Sequence, residues 1–401
     1  MKETINRREF LKSASIWCVL SAIAETITAA AKPLTKTSAS KFSLLFKKVY
    51  GALVGAGIGD AMGGPVEFWY YKKIIEKFGK IETLMPYDRE PNPHGPWKKE
   101  AGTYTDDTRL NKLFCQAVLD KRGVPTDKDL AKAIINYYHA ADDGLAKQWI
   151  EEYYFKAVYR EDKNVFGGQP TNGGIMAIAP LGVINPCNPR QALADAYDAL
   201  FMVEGYSRYS AAIAAAAVSS AMKPDSTVDT IIGDCLEAAS YHKSKVEGLL
   251  WPATDLYRHV GEKNEQLINK GIEIAKKHGN PYTLRDELLA NIQQQFGPDG
   301  SETLAIALTM FYAAKGDYAE SIKGAVNYGR DNDSSASVAG AIAGAFNGAD
   351  KIPAEWIELV ERVNPTPRFR EIAESFCEII TAKQQQDLKV LNNLEELIKK
   401  S

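Results

Sequence analysis

Two short stretches of this chain set carboxylates and hydroxyls side by side at what read as helix starts. One is Gly329-Arg330-Asp331-Asn332-Asp333-Ser334-Ser335, which runs into a small-residue pattern over 336–347. The other is Thr105-Asp106-Asp107-Thr108, which opens an amphipathic run carrying Leu110, Leu113, Phe114, Ala117 and Val118. A helix start needs one such side chain to accept its free N–H groups, so one Asp or Ser in each stretch is accounted for as an N-cap. The surplus is not. If the two starts meet, four carboxylates share a small, partly desolvated volume, and their repulsion is costly unless cations neutralise it. The pattern points to a metal centre built from two distant segments.

Positioning falls to two helices with unusual stripes. The first, over 44–62, has Gly51, Gly55, Gly59 and Gly63, one every four residues; the late helix repeats the device with Ala336, Gly340, Gly344 and Gly348. That spacing clears one helix face of side chains, so another backbone can come close. Glycine inside a helix costs about 1 kcal/mol against alanine, so two stripes need a reason. The expectation is that both helices pack tightly at the centre and hold the acidic starts in register. Gly55-Ala56-Gly57-Ile58-Gly59 is no dinucleotide loop, because no strand precedes it and the G-x-G-x-x-G spacing is absent.

The remaining pattern is helical. Gly63-Gly64-Pro65-Val66-Glu67-Phe68-Trp69 ends the first helix in a turn with one acid beside two aromatics, and a long Pro- and Gly-rich connection over 85–100 has the length of a functional cover. Helices are expected over 126–138, around Trp149 and Tyr153-Tyr154 after Asp142-Asp143, and over 177–181, 189–202, 209–222, 228–242, 266–278, 284–296, 303–314 and 318–328. Between them, Gly167-Gly168-Gln169-Pro170-Thr171-Asn172-Gly173-Gly174-Ile175-Met176 is a glycine-rich loop whose N–H groups can approach phosphate or sugar oxygens. No segment alternates with period two between turn signals, which makes the fold all-α. No internal repeat is evident. Residues 383–401 read as a polar, amphipathic, peripheral helix.

The 401 residues carry a formal charge of −3, with none of the basic excess by which nucleic-acid binders neutralise phosphates. The five cysteines are widely spaced and form no CxxC pair, which argues against zinc. Asn6-Arg7-Arg8-Glu9-Phe10-Leu11-Lys12 before an apolar run, with Ala29-Ala30-Ala31 after it, looks like a twin-arginine export signal over 1–31. The run is too short for a membrane span. The expectation is a periplasmic protein with no stable membrane anchor after signal removal, exported already folded around its metal.

Four motifs then line up with one family. Gly51 to Gly63 with Pro65-Val66-Glu67, Thr105-Asp106-Asp107-Thr108, Asn172-Gly173-Gly174-Ile175-Met176, and Gly329 to Ser334 followed by Gly340-Ala341-Ile342-Ala343-Gly344 resemble the ADP-ribosylglycohydrolases. The resemblance implies a single-domain, all-α orthogonal helical bundle over 42–382 with two magnesium ions in a central cleft. It makes Thr105, Asp106, Asp107, Asp331, Asp333 and Ser334 the metal ligands. All offer oxygen, which suits Mg²⁺, with Mn²⁺ or Ca²⁺ as alternatives. Glu67 matches a glutamate of a mobile active-site loop, and Asn172, Gly173, Gly174 and Met176 match a loop that cradles ribose and phosphates. Gly329, Arg330 and Asn332 extend the substrate contacts, Arg330 as a phosphate contact or, alternatively, as an ion pair on the surface. Asp107 is expected to activate water and Glu67 to orient the substrate and close the loop.

Two departures touch the substrate side. Ala177 stands where the family often has arginine, and Gly205-Tyr206-Ser207-Arg208-Tyr209 lacks the histidine many members place before the Ala-rich helix. The expected substrate is a small-molecule or protein-linked ribosyl compound of the ADP-ribose type. Hydrolysis of another furanoside or nucleoside, and ligand binding without catalysis, are the alternatives.

Overall fold

Ser43 accepts the Phe46 N–H at 3.1 Å and so caps the first helix, α1 (Leu44–Gly63). The helix is buried from Phe46 onward apart from Lys47, because it runs antiparallel to α14 (Asn332–Asn347), which is itself buried through Ala345. The two glycine stripes face each other. A Cβ on Gly51 would lie 2.4 Å from the Gly344 carbonyl oxygen, and one on Gly340 would lie 2.2 Å from the Gly55 carbonyl oxygen. At the far end a Cβ on Gly63 would lie 2.4 Å from the Asp333 Cα. Close backbone approach is thus the reason for the stripes, and it brings the end of α1 to the start of α14.

The structure, a computed structural model, describes residues 43–87, 100–141, 147–159, 171–240, 254–295, 297–364 and 367–399, with Tyr159 and 254–260 described by backbone only. All belong to one compact unit, Lys41–Ser401. The export-signal reading over 1–31, most of the 85–100 connection, Asp142, Asp143, and Gly167 to Pro170 lie outside the described residues.

Between α1 and α14 the chain forms α2 (Tyr71–Phe78), α3 (Asp106–Lys121), α4 (Asp127–Ala140), α5 (Glu151–Tyr159), α6 (Ala179–Val183), α7 (Pro189–Ala199), α8 (Gly205–Ala221), α9 (Val228–Ser240), α10 (Thr254–His278), α11 (Arg285–Asn291), α12 (Gly300–Ala313) and α13 (Tyr318–Tyr328); α15 (Ala354–Val363) and α16 (Phe369–Lys399) follow. The described residues contain no strand, only isolated bridges. The fold is all-α. None of these helices is long and apolar enough to cross a membrane.

At the centre α14 is flanked by α1, α8, α12 and α13. Lys48 holds the opposite end of this core from the acids. Its buried ammonium donates to the carbonyls of Ala221 at 2.8 Å and of Ala345 and Phe346 at 3.0 Å, so one cation satisfies the ends of both α8 and α14.

Several boundaries differ from the sequence reading. Helix α7 stops at Ala199 rather than 202, because Leu200 turns to extended backbone; Leu200, Met202 and Val203 are buried in a connection, where their apolar character imitates helix. Helix α8 starts earlier, at Gly205, and α10 starts at Thr254, twelve residues before the expected point. Helix α11 ends at Asn291, short of 296. Asp299 caps α12 by accepting the Ser301 and Glu302 N–H groups, which moves its start ahead of 303.

The described part of the tail, 383–399, is not a separate element. It continues α16, whose first half buries Phe369, Ile372, Phe376 and Ile380 against α1 and α3, and whose second half exposes Val390, Leu391, Leu394 and Leu397.

Candidate functional site

The antiparallel pairing of α1 and α14 delivers Asp60, in the last turn of α1, and Glu67, just beyond it, to the helix start that bears Asp331, Asp333 and Ser334. Helix α3 completes the group. Thr105 is its N-cap and accepts the Asp107 N–H at 3.3 Å. The Thr105 hydroxyl oxygen lies 2.8 Å from Asp60 Oδ1 and 3.4 Å from Asp333 Oδ2, so the two acid-hydroxyl starts meet.

Asp60 is the residue that sequence reasoning passed over. It is fully buried, and its carboxylate accepts the N–H and hydroxyl of both Thr105 and Thr108. It therefore caps α3 from another helix and fixes the turn that carries Asp106 and Asp107. A charged residue inside an otherwise Gly- and Ala-rich buried helix was the available signal.

The N-cap explanation fails at α14. Asp331 occupies the cap position, but its side chain makes no capping bond. Its Oδ2 instead accepts from Asn172 Nδ2 at 3.0 Å. Asn172 is drawn into the centre because its own N–H donates to the Pro298 carbonyl at 2.8 Å and Thr171 bridges to Asp299. Gly173 lies against Tyr153, where a Cβ would come 2.4 Å from the phenol oxygen, and Gly174 packs on Val203. Met176 is buried, and its carbonyl accepts from Ser337.

Gly329 and Arg330 serve backbone geometry. Gly329 adopts φ 83° and lets Trp69 pass, since a Cβ would lie 2.3 Å from the Trp69 carbonyl oxygen. The Arg330 guanidinium forms an ion pair with Glu302, and the pair is largely buried rather than on the surface. Asn332 is buried and donates to the Val326 carbonyl at 2.8 Å. Tyr206, in the stretch that lacks a histidine, donates to Asp299 at 2.8 Å.

The electrostatics follow from burial. Burial lifts Asp60 to about 6 against the pull of its Thr108 and Thr105 bonds, and lifts Asp331 to about 6 with Glu67 adding to it. Asp107 rises well above the carboxylate range through burial and then the charges of Asp60, Asp106 and Asp331. Asp333 rises for the same first reason, helped by Glu67, Asp107, Asp331 and Asp60.

Among the described residues no three carboxylate, imidazole or thiol groups stand as a finished metal cage. The fit rests on two oxygens. Asp107 Oδ2 and Asp333 Oδ1 are buried and have no hydrogen-bond partner. A buried carboxylate oxygen left unpaired is expensive, and a hard cation held by Asp, Thr and Ser oxygens is what would satisfy both. Thr105, Asp107, Asp331, Asp333 and Ser334 are gathered there, while Asp106 is half-buried beside them.

Known proteins resemble this chain over most of its length. "Uncharacterized protein YegU" of Escherichia coli is 24% identical over 323 residues, covering 76% of this chain and 89% of that protein. "ADP-ribosylhydrolase ARH3" of Homo sapiens is 22% identical over 348 residues, covering 79% and 90%. A solved "ADP-ribosylglycohydrolase-related protein complex" superposes with a TM-score of 0.57 at 21% identity, over 84% of this chain and 99% of its own. The ADP-ribosylglycohydrolase family model matches residues 43–387, from the cap of α1 to the middle of α16, and the chain belongs to that family.

Proposed function

We propose that this chain hydrolyses a ribosyl glycosidic bond of the ADP-ribose type at the centre formed by α1, α3 and α14, with two magnesium ions as cofactors. The observation that supports this most directly is the pair of partnerless buried oxygens, Asp107 Oδ2 and Asp333 Oδ1, carried by two distant acidic helix starts that meet. Thr105, Asp106, Asp107, Asp331, Asp333 and Ser334 would hold the ions. Bound divalent ions would neutralise this charge and position a sugar cis-diol together with a water molecule.

The chain's own residues do the rest. Cleavage of a ribofuranosyl bond develops positive charge at the anomeric carbon, which nearby carboxylates stabilise. Asp107, whose free oxygen lies at the centre, takes the proton of the attacking water. Glu67, buried beside Asp331 and Asp333, orients the substrate. Asn172 fixes the Asp331 carboxylate by direct donation. The work is done in the periplasm, after export of the folded, metal-loaded protein by the twin-arginine segment.

The test compares ADP-ribose release from arginine- and serine-linked peptides with sugar release from nucleosides and other furanosides, on magnesium-loaded protein with a chelator control. Chelator-sensitive ADP-ribose release is the expected result. Turnover of nucleosides or furanosides alone would move the substrate class, and tight ADP-ribose binding without turnover of any compound would leave a binding protein.

A further inference from the structure

Glu302, in the first turn of α12, is buried and grips Arg330 at two points: Nε on Oε1, and Nη2 on Oε2 at 2.9 Å. Arg330 Nη2 also donates to the Gln294 carbonyl at 2.9 Å, and the Gln294 N–H donates to Glu302 Oε2 at 2.6 Å. This pair fixes a backbone as well as a side chain. The Arg330 N–H donates to the Trp69 carbonyl at 2.7 Å, the Arg330 carbonyl accepts the Phe68 N–H at 2.6 Å, and Tyr70 bridges Gly329. Phe68 and Arg330 sit at φ 61° and 62°, a region that large side chains avoid and that persists only where surroundings enforce it. The residue before Phe68 is Glu67, and the residue after Arg330 is Asp331.

The geometry points to Glu302 and Arg330 as positioning residues: their ion pair latches the Glu67-Phe68-Trp69 segment onto the start of α14 and so sets where the Glu67 carboxylate stands relative to Asp331 and Asp333. Helix α12 suits this task because Asp299, which caps it, also bridges Thr171 beside Asn172. One helix start thereby holds both the Asn172 loop and, through Glu302, the Glu67 segment. The kinetic consequence rests on the hydrolase reading above; the latch itself does not.

The test uses the full chain with Glu302→Gln, which keeps shape and removes charge, and Arg330→Lys, which keeps charge and loses the two-point fork. Hydrogen–deuterium exchange is followed in peptides covering 64–71 and 327–332, beside magnesium-induced thermal shift and steady-state kinetics. The expected result is exchange at Phe68 and Arg330 faster by about tenfold or more, with α12 and α14 as protected as before. The magnesium shift is retained, and kcat falls by about tenfold or more while KM stays within about twofold. Arg330→Lys lies between wild type and Glu302→Gln, and it decides the matter if Glu302→Gln does not fold. Unchanged exchange in the latched segment overturns the proposal. So does a general loss of protection together with loss of the magnesium shift, which would mean ordinary destabilisation, and so does faster exchange with unchanged kcat. If wild type turns over no ribosyl substrate, the hydrolase reading fails, and the exchange measurement still decides the latch.

Discussion

The Thr105 hydroxyl oxygen stands 3.4 Å from Oδ2 of Asp333, a residue 228 positions further along the chain. Helix capping does not require that contact, because Thr105 already caps α3 and Asp331 leaves its own helix uncapped. The contact exists because the stripes on α1 and α14 carry one acidic start to the other. Charge gathered this way, with two carboxylate oxygens unpartnered, must be relieved by protons or by cations.

Metal removal is therefore expected to cost stability. Chelator-treated protein should gain about 2.7 kcal/mol on addition of Mg²⁺ at a hundred times its Kd, a rise in Tm of about 3 °C for a chain of this size. Asp107→Ala and Asp333→Ala should abolish both the shift and turnover. A differential scanning measurement with and without Mg²⁺ checks this, and an unchanged shift in both variants would remove the metal assignment.

The metal-free protein should have an inverted response to mild acid. Asp60 and Asp331 titrate near 6 when folded and near 3.8 when unfolded, so the folded state takes up protons first. Their contribution is fully present below the unfolded value and is lost as pH rises through about 6. With chelator, stability against denaturant should thus increase from about pH 7 to about pH 5, before other carboxylates reverse the trend. Saturating Mg²⁺ should flatten or reverse that slope, since cations favour the ionised acids. Equilibrium urea unfolding across this range measures both.

Glycine substitutions separate close approach from mere flexibility. Gly340→Ala puts a Cβ 2.2 Å from the Gly55 carbonyl oxygen and should destabilise by about 1–3 kcal/mol or more, with a weakened magnesium shift because register is lost. Gly233→Ala in α9 meets nothing within 4 Å and should stabilise by about 0.5–1 kcal/mol. Denaturant midpoints of the two variants should move in opposite directions.

Much of this was readable in the chain, and the unread part has a common cause. The stripes at Gly51 to Gly63 and Ala336 to Gly348 announced their partners because close backbone approach needs regular spacing, and the acid pairs marked the two helix starts that meet because capping uses only one of them. Arg330 read as a phosphate contact or a surface ion pair because its buried partner, Glu302, lies 28 residues away and carries no local mark. Lys48 resembles any helix lysine until the ends of α8 and α14 meet above it. Helix ends failed where tertiary burial copied helical patterning, as at Leu200 to Val203. Local spacing encodes elements; partners chosen across the chain are encoded only in the packing.

Asp60 gives the sharpest test of that distinction, since it touches every part of the α3 start and belongs to no recognised acid pair. Its two oxygens receive the N–H groups of Thr105 and Thr108 and both hydroxyls. Asp60→Asn keeps the volume but turns an amide NH₂ toward donors, so at least one N–H loses its acceptor in a fully buried place, at a cost of about 1–3 kcal/mol. The substitution also removes a negative charge that raises Asp107, so on stability alone the repulsion relieved would offset part of that cost. Activity should not share the compensation. Once the clasp is broken, Thr105 and Asp107 are no longer fixed relative to Asp333, and a displacement of about 1 Å at such a centre can cost about a hundredfold in rate. The expected outcome is a folded variant with a modest fall in Tm, a much reduced magnesium shift and a large loss of kcat. Wild-type turnover in Asp60→Asn would show that the α3 start holds its geometry without the clasp.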